Sequence, residues 1–397
     1  MMKYINTERV IVKSWCNNPD EGAIDQAVDL AELPFVFKQV CLMPDTHRGY
    51  GMPIGGVIAT HNVIIPNAVG VDIGCGICAV KTNIKASDLT QDKIKEVFGG
   101  SAEYHGGIRS RIPVGFHKHK KAQEWDGFDI IPYYEPIVNN LENITKQLGT
   151  LGGGNHFIEI QKDEKDFVWV MIHSGSRNLG YQIAKFYNKI AQTLCEQWCS
   201  NIPTVKGDDG LAFFPHSSHY YEEYSSAMNF ALEYALENRK RMMSVCEEEL
   251  ARVMPGAEFE PIINIHHNYA AMENHFGKNV MVHRKGATRA RKDEIGIIAG
   301  SQGTSSYIVK GKGNPDSFMS CSHGAGRKMS RNKAIKNLNL DTEVAALDKK
   351  GILHTLRNKK ALDEAPSAYK DIDVVMSEQT DLVDILHKLT PLAVIKG

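Results

Sequence analysis

Short apolar runs rich in β-branched residues recur from one end of the chain to the other, and segments of helical period lie between them. Residues 35–43, 56–60, 62–65, 77–82, 157–161 and 167–172 read as strands. A second set follows at 262–265, 280–283, 295–298, 307–309 and 392–395. Helical period is clearest over 178–199, over 218–252 (stopped by Pro255-Gly256) and over 368–389, with shorter helices expected at 87–98 and 135–148. Strands and helices mixed in this way define an α/β or α+β class. No Pro/Gly/Ser-rich linker, low-complexity tract or solenoid repeat divides the sequence. A single large domain over 1–397 is therefore expected, with a largely helical lobe around 178–255.

Charge says little about partners at the level of the whole chain. Lys and Arg number 46 against 47 Asp and Glu, for a net charge of −1, but a local basic groove is invisible to such a sum. No apolar run reaches the roughly 18–20 residues of a membrane span. The start, Met1-Met2-Lys3-Tyr4-Ile5-Asn6, lacks the apolar core of a secretory signal. These features predict a cytoplasmic protein with no membrane partner. Eight scattered cysteines do not form a disulfide framework. Cys195 and Cys199, four apart on an expected helix, read as packing thiols. Cys75 and Cys78 form a Cys-x-x-Cys, for which a reducing compartment leaves metal binding or redox chemistry.

The chemistry is concentrated in six blocks of Gly, His, Asp and Asn that interrupt the regular patterns. They are residues 43–51 (MPDTHRGYG), 69–76 (VGVDIGCG), 152–159 (GGGNHFIE), 173–177 (HSGSR), 266–269 (HHNY) and 322–327 (SHGAGR). Most start or end an expected strand, where sheet folds build their sites. Asp72 and Cys75 are three apart on a Gly-rich turn, close enough to grip one ion. His156, His173 and His267 each sit at a strand edge, able to point into a shared cavity. Mixed Asp/Cys/His ligation suits Zn or Mn rather than Mg or Ca, and a thiolate can bridge two ions. The alternatives are hydrogen-bonded structural histidines and a dithiol at Cys75/Cys78, with Cys78 turned into the core by strand parity.

Three Gly clusters, at 152–154, 300–303 and 323–327, can present backbone N–H groups to a phosphate. None is a Walker A loop. His323, flanked by small residues and followed by Arg327 and Arg331, is placed to act as a nucleophile toward phosphorus or as a general acid/base. Two basic runs, 107–121 and 284–292, fit a polynucleotide backbone or a solvated face.

Taken together, residues 43–51, 69–76, 151–159, 173–177, 266–269, 284–290, 300–307, 322–331, 368–376 and 394–397 resemble the RtcB family of RNA-splicing ligases, in order and at similar spacing. The resemblance implies a distinctive α/β fold with metals in a central cleft. It also implies ligation of RNA 3′-phosphate or 2′,3′-cyclic phosphate ends to 5′-hydroxyl ends, with GTP and two Mn²⁺ per subunit. Its function would be RNA repair or tRNA splicing. By the same resemblance His323 accepts GMP. Asp72, Cys75 and His156 hold one metal, and Cys75, His173 and His267 hold the other.

Nucleotide contacts carried over in this way are Asn155, His156, Phe157, Ile158, Glu159 (to the guanine edge), His267 and Asn268. They continue with Ala299, Gly300, Ser301, Gln302, Ser306, His323, Gly324, Ala325, Gly326 and Lys396, and Tyr369 is placed to stack on guanine. His267 rather than His266 matches the ligand, because it precedes Asn268. Where the family pattern has Pro-Gly-Ser/Thr-Met, this chain has Ala299-Gly300-Ser301-Gln302. The basic run 107–121 and the segment 200–255 fall outside the resemblance. The competing reading of the same ligands is a two-metal phosphoesterase or nuclease acting on RNA. It has no use for a covalent nucleotide carrier at His323.

Overall fold

In the computed structural model, which describes residues 3–200, 202 and 210–397, the strand-forming runs assemble into two large sheets. The first holds, edge to edge, Lys3–Ile5, Ile11–Ser14, Val36–His47, Ile54–Thr60, Lys278–Lys285 and Asn268–His275. Its one parallel pair is Ile11–Ser14 with Val36–His47. The second runs Ile263–His266, Gly76–Lys85, Phe167–Ser174, Phe157–Lys162, Val383–Lys396, Ser306–Gly311 and Ile295–Ile298, antiparallel throughout. The class is mixed α/β, as the sequence predicts.

Strand alternation sorts the second sheet into two faces. Ile158, Ile160, Val168, Val170, Ile172, Cys78 and Val80 point to one side, where they meet Met242, Met243, Cys246 and Leu250 of the long helix His219–Val253. Burial of each such side chain contributes about 1.5–3 kcal/mol. Phe157, Met171, Ile77 and Val394 point to the other side, toward Ile297 and Ile308. Cys78 is thus a core thiol, as parity predicts.

The helix His219–Val253 is capped by Ser218, whose side chain accepts from the Tyr220 N–H. Its buried residues Tyr221, Tyr224, Ala227, Met228, Ala231, Tyr234 and Ala235 recur at three- and four-residue intervals. It packs with Asn178–Gln197 and also lies across the second sheet, so this part of the chain supports the sheet rather than standing apart from it. Part of the expected lobe, residues 201 and 203–209, lies outside the described residues. No helix among the described residues is long and apolar enough to cross a membrane.

Two polar residues interrupt the apolar face of this helix, and both are fully buried. Asn238 accepts from the Gly149 and Thr150 N–H groups at 2.7 and 3.1 Å. It donates to Thr150 O, Ser174 Oγ and Gly175 O. Arg239 donates to Gly74 O (3.0 Å), Ser174 O (2.9 Å) and Asn264 Oδ1 (2.6 Å), and its Nη2 lies 3.3 Å from His266 Nδ1.

Several expectations need correction. The region 368–389 is not one helix. A short helix covers Ile372–Ser377, and the strand Val383–Lys396 follows. That strand pairs with Ser306–Gly311 along one part and Phe157–Lys162 along another, and this pairing outweighs helix preferences of a few tenths of a kcal/mol per residue. Pro391 sits at the register irregularity, where a missing N–H is tolerated. The expected helix at 135–148 is two short pieces, Glu135–Val138 and Leu141–Gln147, and that at 87–98 is Gln91–Phe98 after a 3₁₀ turn. Cys195 packs in the core, but Cys199 lies past the helix end and is exposed.

Replacing Arg239 by Met should leave several buried carbonyls without a donor. A loss of at least about 3 kcal/mol in denaturant unfolding is expected. A loss below about 1 kcal/mol would mean that the guanidinium is not what ties these loops together.

Candidate active site

The ligand-type residues arrive from four places at the edge of the second sheet. Asp72 and Cys75 lie on the turn between the short helix Pro66–Val69 and the strand Gly76–Lys85, closed by Cys75 N–H to Asp72 O at 3.1 Å. His156 immediately precedes Phe157–Lys162, and His173 lies in the adjacent strand Phe167–Ser174. His267 sits between Ile263–His266 and Asn268–His275, its N–H donated to Cys75 O.

Their side chains converge in two groups that share one thiol: Asp72, Cys75 and His156, and Cys75, His173 and His267. Cys75 Sγ is 3.5 Å from His156 Nε2 and 3.2 Å from His173 Nε2. His156 Nε2 is 3.3 Å from Asp72 Oδ2, and His173 Nε2 is 3.3 Å from His267 Nε2. Donors bound about 2.0–2.3 Å from a tetrahedral ion lie at about this separation from one another.

The imidazoles are also preset for ligation. His156 Nδ1 lies 3.0 Å from Leu151 O and His173 Nδ1 lies 3.2 Å from Asn155 O, so each places its proton there and turns the Nε2 lone pair inward. Burial, reinforced by neighbouring imidazoles, holds His173 and His267 well below the usual histidine range, hence neutral. Burial followed by the Asp72 charge raises the Cys75 thiol well above its usual value. A bound cation reverses that preference and favours the thiolate. Two ring nitrogens 3.3 Å apart, grouped with a thiol 3.2 Å from one of them, are a donor set that fits a divalent metal.

Asp72, Cys75, His173 and His267 open onto a cleft of about 730 Å³. His323 forms part of its wall, with its ring centroid 4.7 Å from that of His267. The buried Asp45, at the end of the strand Val36–His47, accepts three hydrogen bonds on Oδ2. They come from His323 Nδ1 (2.7 Å), His323 N–H (3.0 Å) and Gly324 N–H (3.2 Å). Burial alone would raise the Asp45 carboxyl; the His323 ring and the Gly324 N–H outweigh it and hold the carboxyl below its ordinary range.

Behind three cations that line the cleft lies the buried Glu364, with Arg327 Nη1 at 3.2 Å, Arg331 Nη2 at 3.1 Å and Lys396 Nζ at 3.3 Å. Tyr369 completes that lining, its hydroxyl bonded to Glu364 and its ring 5.0 Å from the Arg327 guanidinium. Asn155, Phe157, His267, Asn268, Ala299, Gly300, Ser301, Gln302, Gly324, Ala325, Gly326 and Lys396 all line the cleft.

Four expected nucleotide contacts do not. His156 is buried among the metal-type groups, Ile158 points into the core, Ser306 is buried and accepts from the Gly300 N–H, and Glu159 is covered and bonded by Gln161 Nε2 at 2.6 Å. Burial pushes the Glu159 carboxyl up to about 8. The chain's own variation at 299–302 is accommodated. Ala299 pairs its backbone with His323 O and Ala325 N, and Gln302 Nε2 donates to Glu364 O at 2.8 Å. Asp45 and Glu364 carry no motif of their own and were not singled out as functional. Asp45 could have been found inside the 43–51 block, whereas Glu364 had no signal beyond its nearness to Tyr369. A larger groove of about 840 Å³ behind the long helix holds none of the candidate residues.

Fold and cleft thus define an enzyme in which a buried thiol and three imidazoles face a clamped histidine. Comparison with known proteins narrows the class. The family described as tRNA-splicing ligase RtcB matches residues 26–131 and 135–397. The chain is 40% identical over 413 residues to an RNA-splicing ligase RtcB1 of Escherichia coli (strain ATCC 25922), covering 99% of each. It is 39% identical to the RNA-splicing ligase RtcB of Escherichia coli K12, again over 99% of each chain. With the tRNA-splicing ligase RtcB of Methanococcus maripaludis it shares 33% over 96% of this chain and 92% of that one. The chain belongs to the RtcB family and is an RNA ligase of that class. The match runs through 107–121 and 200–255, which the sequence reading had set outside the resemblance.

Asp45→Asn should cost about 1.5–3 kcal/mol at neutral pH. The gap between parent and variant should narrow as pH falls below about 4. The parent's carboxylate contribution is full above the unfolded-state value of about 3.9 and is lost as pH falls through the lower folded value. Denaturant unfolding at pH 6 and pH 3 checks this.

Proposed function

We propose that this chain joins RNA 3′-phosphate or 2′,3′-cyclic phosphate ends to 5′-hydroxyl ends, using GTP, two Mn²⁺ per subunit and a guanylylated His323. The observation that carries this reading is the Asp45 clamp. With Nδ1 tied to a buried carboxylate, the free ring nitrogen of His323 is Nε2, beside the thiol–imidazole groups. An imidazole held in one tautomer with Nε2 free is placed to act as a nucleophile; the same clamp suits a general acid/base, and what a hydrolase has no need of is a covalent nucleotide on that nitrogen.

In this reading Nε2 attacks the α-phosphorus of GTP and pyrophosphate leaves. GMP then passes from His323 to the RNA 3′-phosphate, converting a poor electrophile into one with a good leaving group. Attack by the 5′-hydroxyl forms the new phosphodiester and releases GMP. Asp72, Cys75 and His156 would hold one ion and Cys75, His173 and His267 the other. When bound, the ions supply positive charge to the phosphate oxygens. Lys396, Arg327 and Arg331, three cations against the carboxylates of Glu364 and Asp363, leave an excess of one positive charge for a triphosphate. Tyr369 offers a ring for the base, and Glu159, covered here and bonded to Gln161, would have to be uncovered to reach the guanine edge. A reducing, cytoplasmic setting keeps Cys75 available as a thiol, and broken tRNA or other cleaved RNA is the substrate class. The two-metal phosphoesterase remains the reading to be tested against.

Incubation with labelled GTP and Mn²⁺ should attach GMP to the parent protein. His323→Ala should abolish labelling and ligation from a 3′-phosphate, yet still seal an RNA already carrying 3′-pp-guanosine. A parent that cleaves RNA, ignores GTP and stays unlabelled would establish the hydrolase instead. On metal counting by mass spectrometry, Cys75→Ala should lose both ions and His173→Ala only one. Two ions retained by Cys75→Ala would remove the bridging role.

A further inference from the structure

Phe116 is fully exposed, with a relative accessibility of 103%. A large apolar ring in that position adds nothing to the core, yet its backbone is rigidly placed. The Gly115 N–H donates to Gly152 O at 2.8 Å, and Gly115 O accepts from Arg177 Nη2 at 3.1 Å. The His117 N–H closes a turn on Val114 O, and the His119 N–H reaches Lys146 O at 2.9 Å. Gly152 begins the loop that carries Asn155 and His156, so the ring stands on a turn stitched to the rim of the cleft. Gly152 itself has φ +92°, and a Cβ there would collide with the Arg177 guanidinium, so this junction fits only glycine.

The residues after Phe116 are His117, Lys118, His119, Lys120 and Lys121, with no acid among them. Phe116, His117, Lys118, Lys120 and Lys121 are all exposed. Lys118 bonds to the neutral amide of Asn143 at 2.6 Å, a contact that leaves its charge in place. An exposed ring beside closely spaced cations, in a chain whose net charge is −1, matches a ligand with flat apolar faces joined by anionic links. Single-stranded RNA has that chemistry: bases stack on aromatic rings and phosphates follow the cations.

We propose that Phe116 and the basic run 117–121 form a stacking and phosphate-binding platform for the single-stranded RNA that feeds the cleft. The inference rests on the ligase reading for the identity of the strand, and Phe116 acts in it as a positioning residue.

The test is binding of a short fluorescein-labelled single-stranded RNA with a 5′-hydroxyl, followed by anisotropy across a salt series, beside GTP self-labelling of the same proteins. Phe116→Ala should weaken binding about tenfold with an unchanged salt slope, because stacking releases no counterions, and Phe116→Trp should restore it. Lys118, Lys120 and Lys121 changed together to Gln should flatten the slope of log affinity against log salt by about 2. Self-labelling should be unchanged in all variants, and in ligation Phe116→Ala should raise KM for RNA while sparing kcat. If Phe116→Ala binds RNA as the parent does while the parent labels with GTP, the platform is wrong and the ligase reading stands. If the parent does not label but its RNA binding still depends on Phe116, the ligase reading falls and the platform stands.

Discussion

The site depends on a buried guanidinium. Arg239 is sealed beneath the second sheet with no carboxylate in its hydrogen-bonding set, and burial lowers it to about 10. A cation buried in this way is costly unless its donors are answered. The answers come from Gly74 O, Ser174 O, Asn264 and His266. Each adjoins or lies within a few residues of a candidate ligand: Cys75 follows Gly74, His173 precedes Ser174, and His267 follows His266. Asn238 does the same for Thr150 and Gly175, fixing the approach to His156. One turn of one helix therefore sets the relative positions of loops that are far apart in sequence. Its charge also acts on Cys75 in the direction of the thiolate, against burial and Asp72.

The same logic, with signs reversed, governs His323. Asp45 is a buried anion answered by the ring N–H and by two backbone N–H groups of the 323–324 turn. Gly326, with φ +70°, brings that loop against the Asp45 backbone, where a Cβ would lie 2.1 Å from Asp45 O. His323 is thus held by the first sheet, through Val36–His47, and the metal-type groups by the second. The cleft lies where the two meet.

This division explains what the sequence disclosed. The ligand-type residues were legible because Gly-flanked His, Cys and Asp at strand ends have few structural uses. His266 and His267 could be told apart only through the family resemblance. The structure shows the physical difference, with His266 turned to Arg239 and Gly74 O and His267 turned to His173. Asn238 and Arg239 were illegible, since on a long helix they pass for a solvated face until the sheet covers them. Glu364 was hidden for a related reason: an acid in an irregular loop acquires meaning only from the three cations brought to it. The strand Val383–Lys396 was legible at 392–395, but its first half, through 389, passes for a helix because its apolar spacing fits one locally and its partners lie more than seventy residues away in sequence at 306–311 and more than two hundred at 157–162.

A net charge of −1 is compatible with a polyanionic substrate because the charges are unevenly placed. Glu273 with Arg284, and Arg289 with Glu294, neutralise each other within the first sheet and at its margin. The basic run 284–292 is therefore largely occupied in structural pairs, which leaves it less to offer a phosphate chain than its sequence implied. At the cleft wall the balance is three cations to the two carboxylates of Glu364 and Asp363, and at 117–121 three lysines have no acid within the run. Field lines from such local excesses extend about one Debye length, roughly 8–10 Å at physiological salt. Beyond that distance the neutral whole dominates. An anionic strand is accordingly attracted at the rim and the wall of the cleft rather than to the protein at large, and it is there that Asp45 holds His323 and Arg239 holds the loops of the metal-type residues in place.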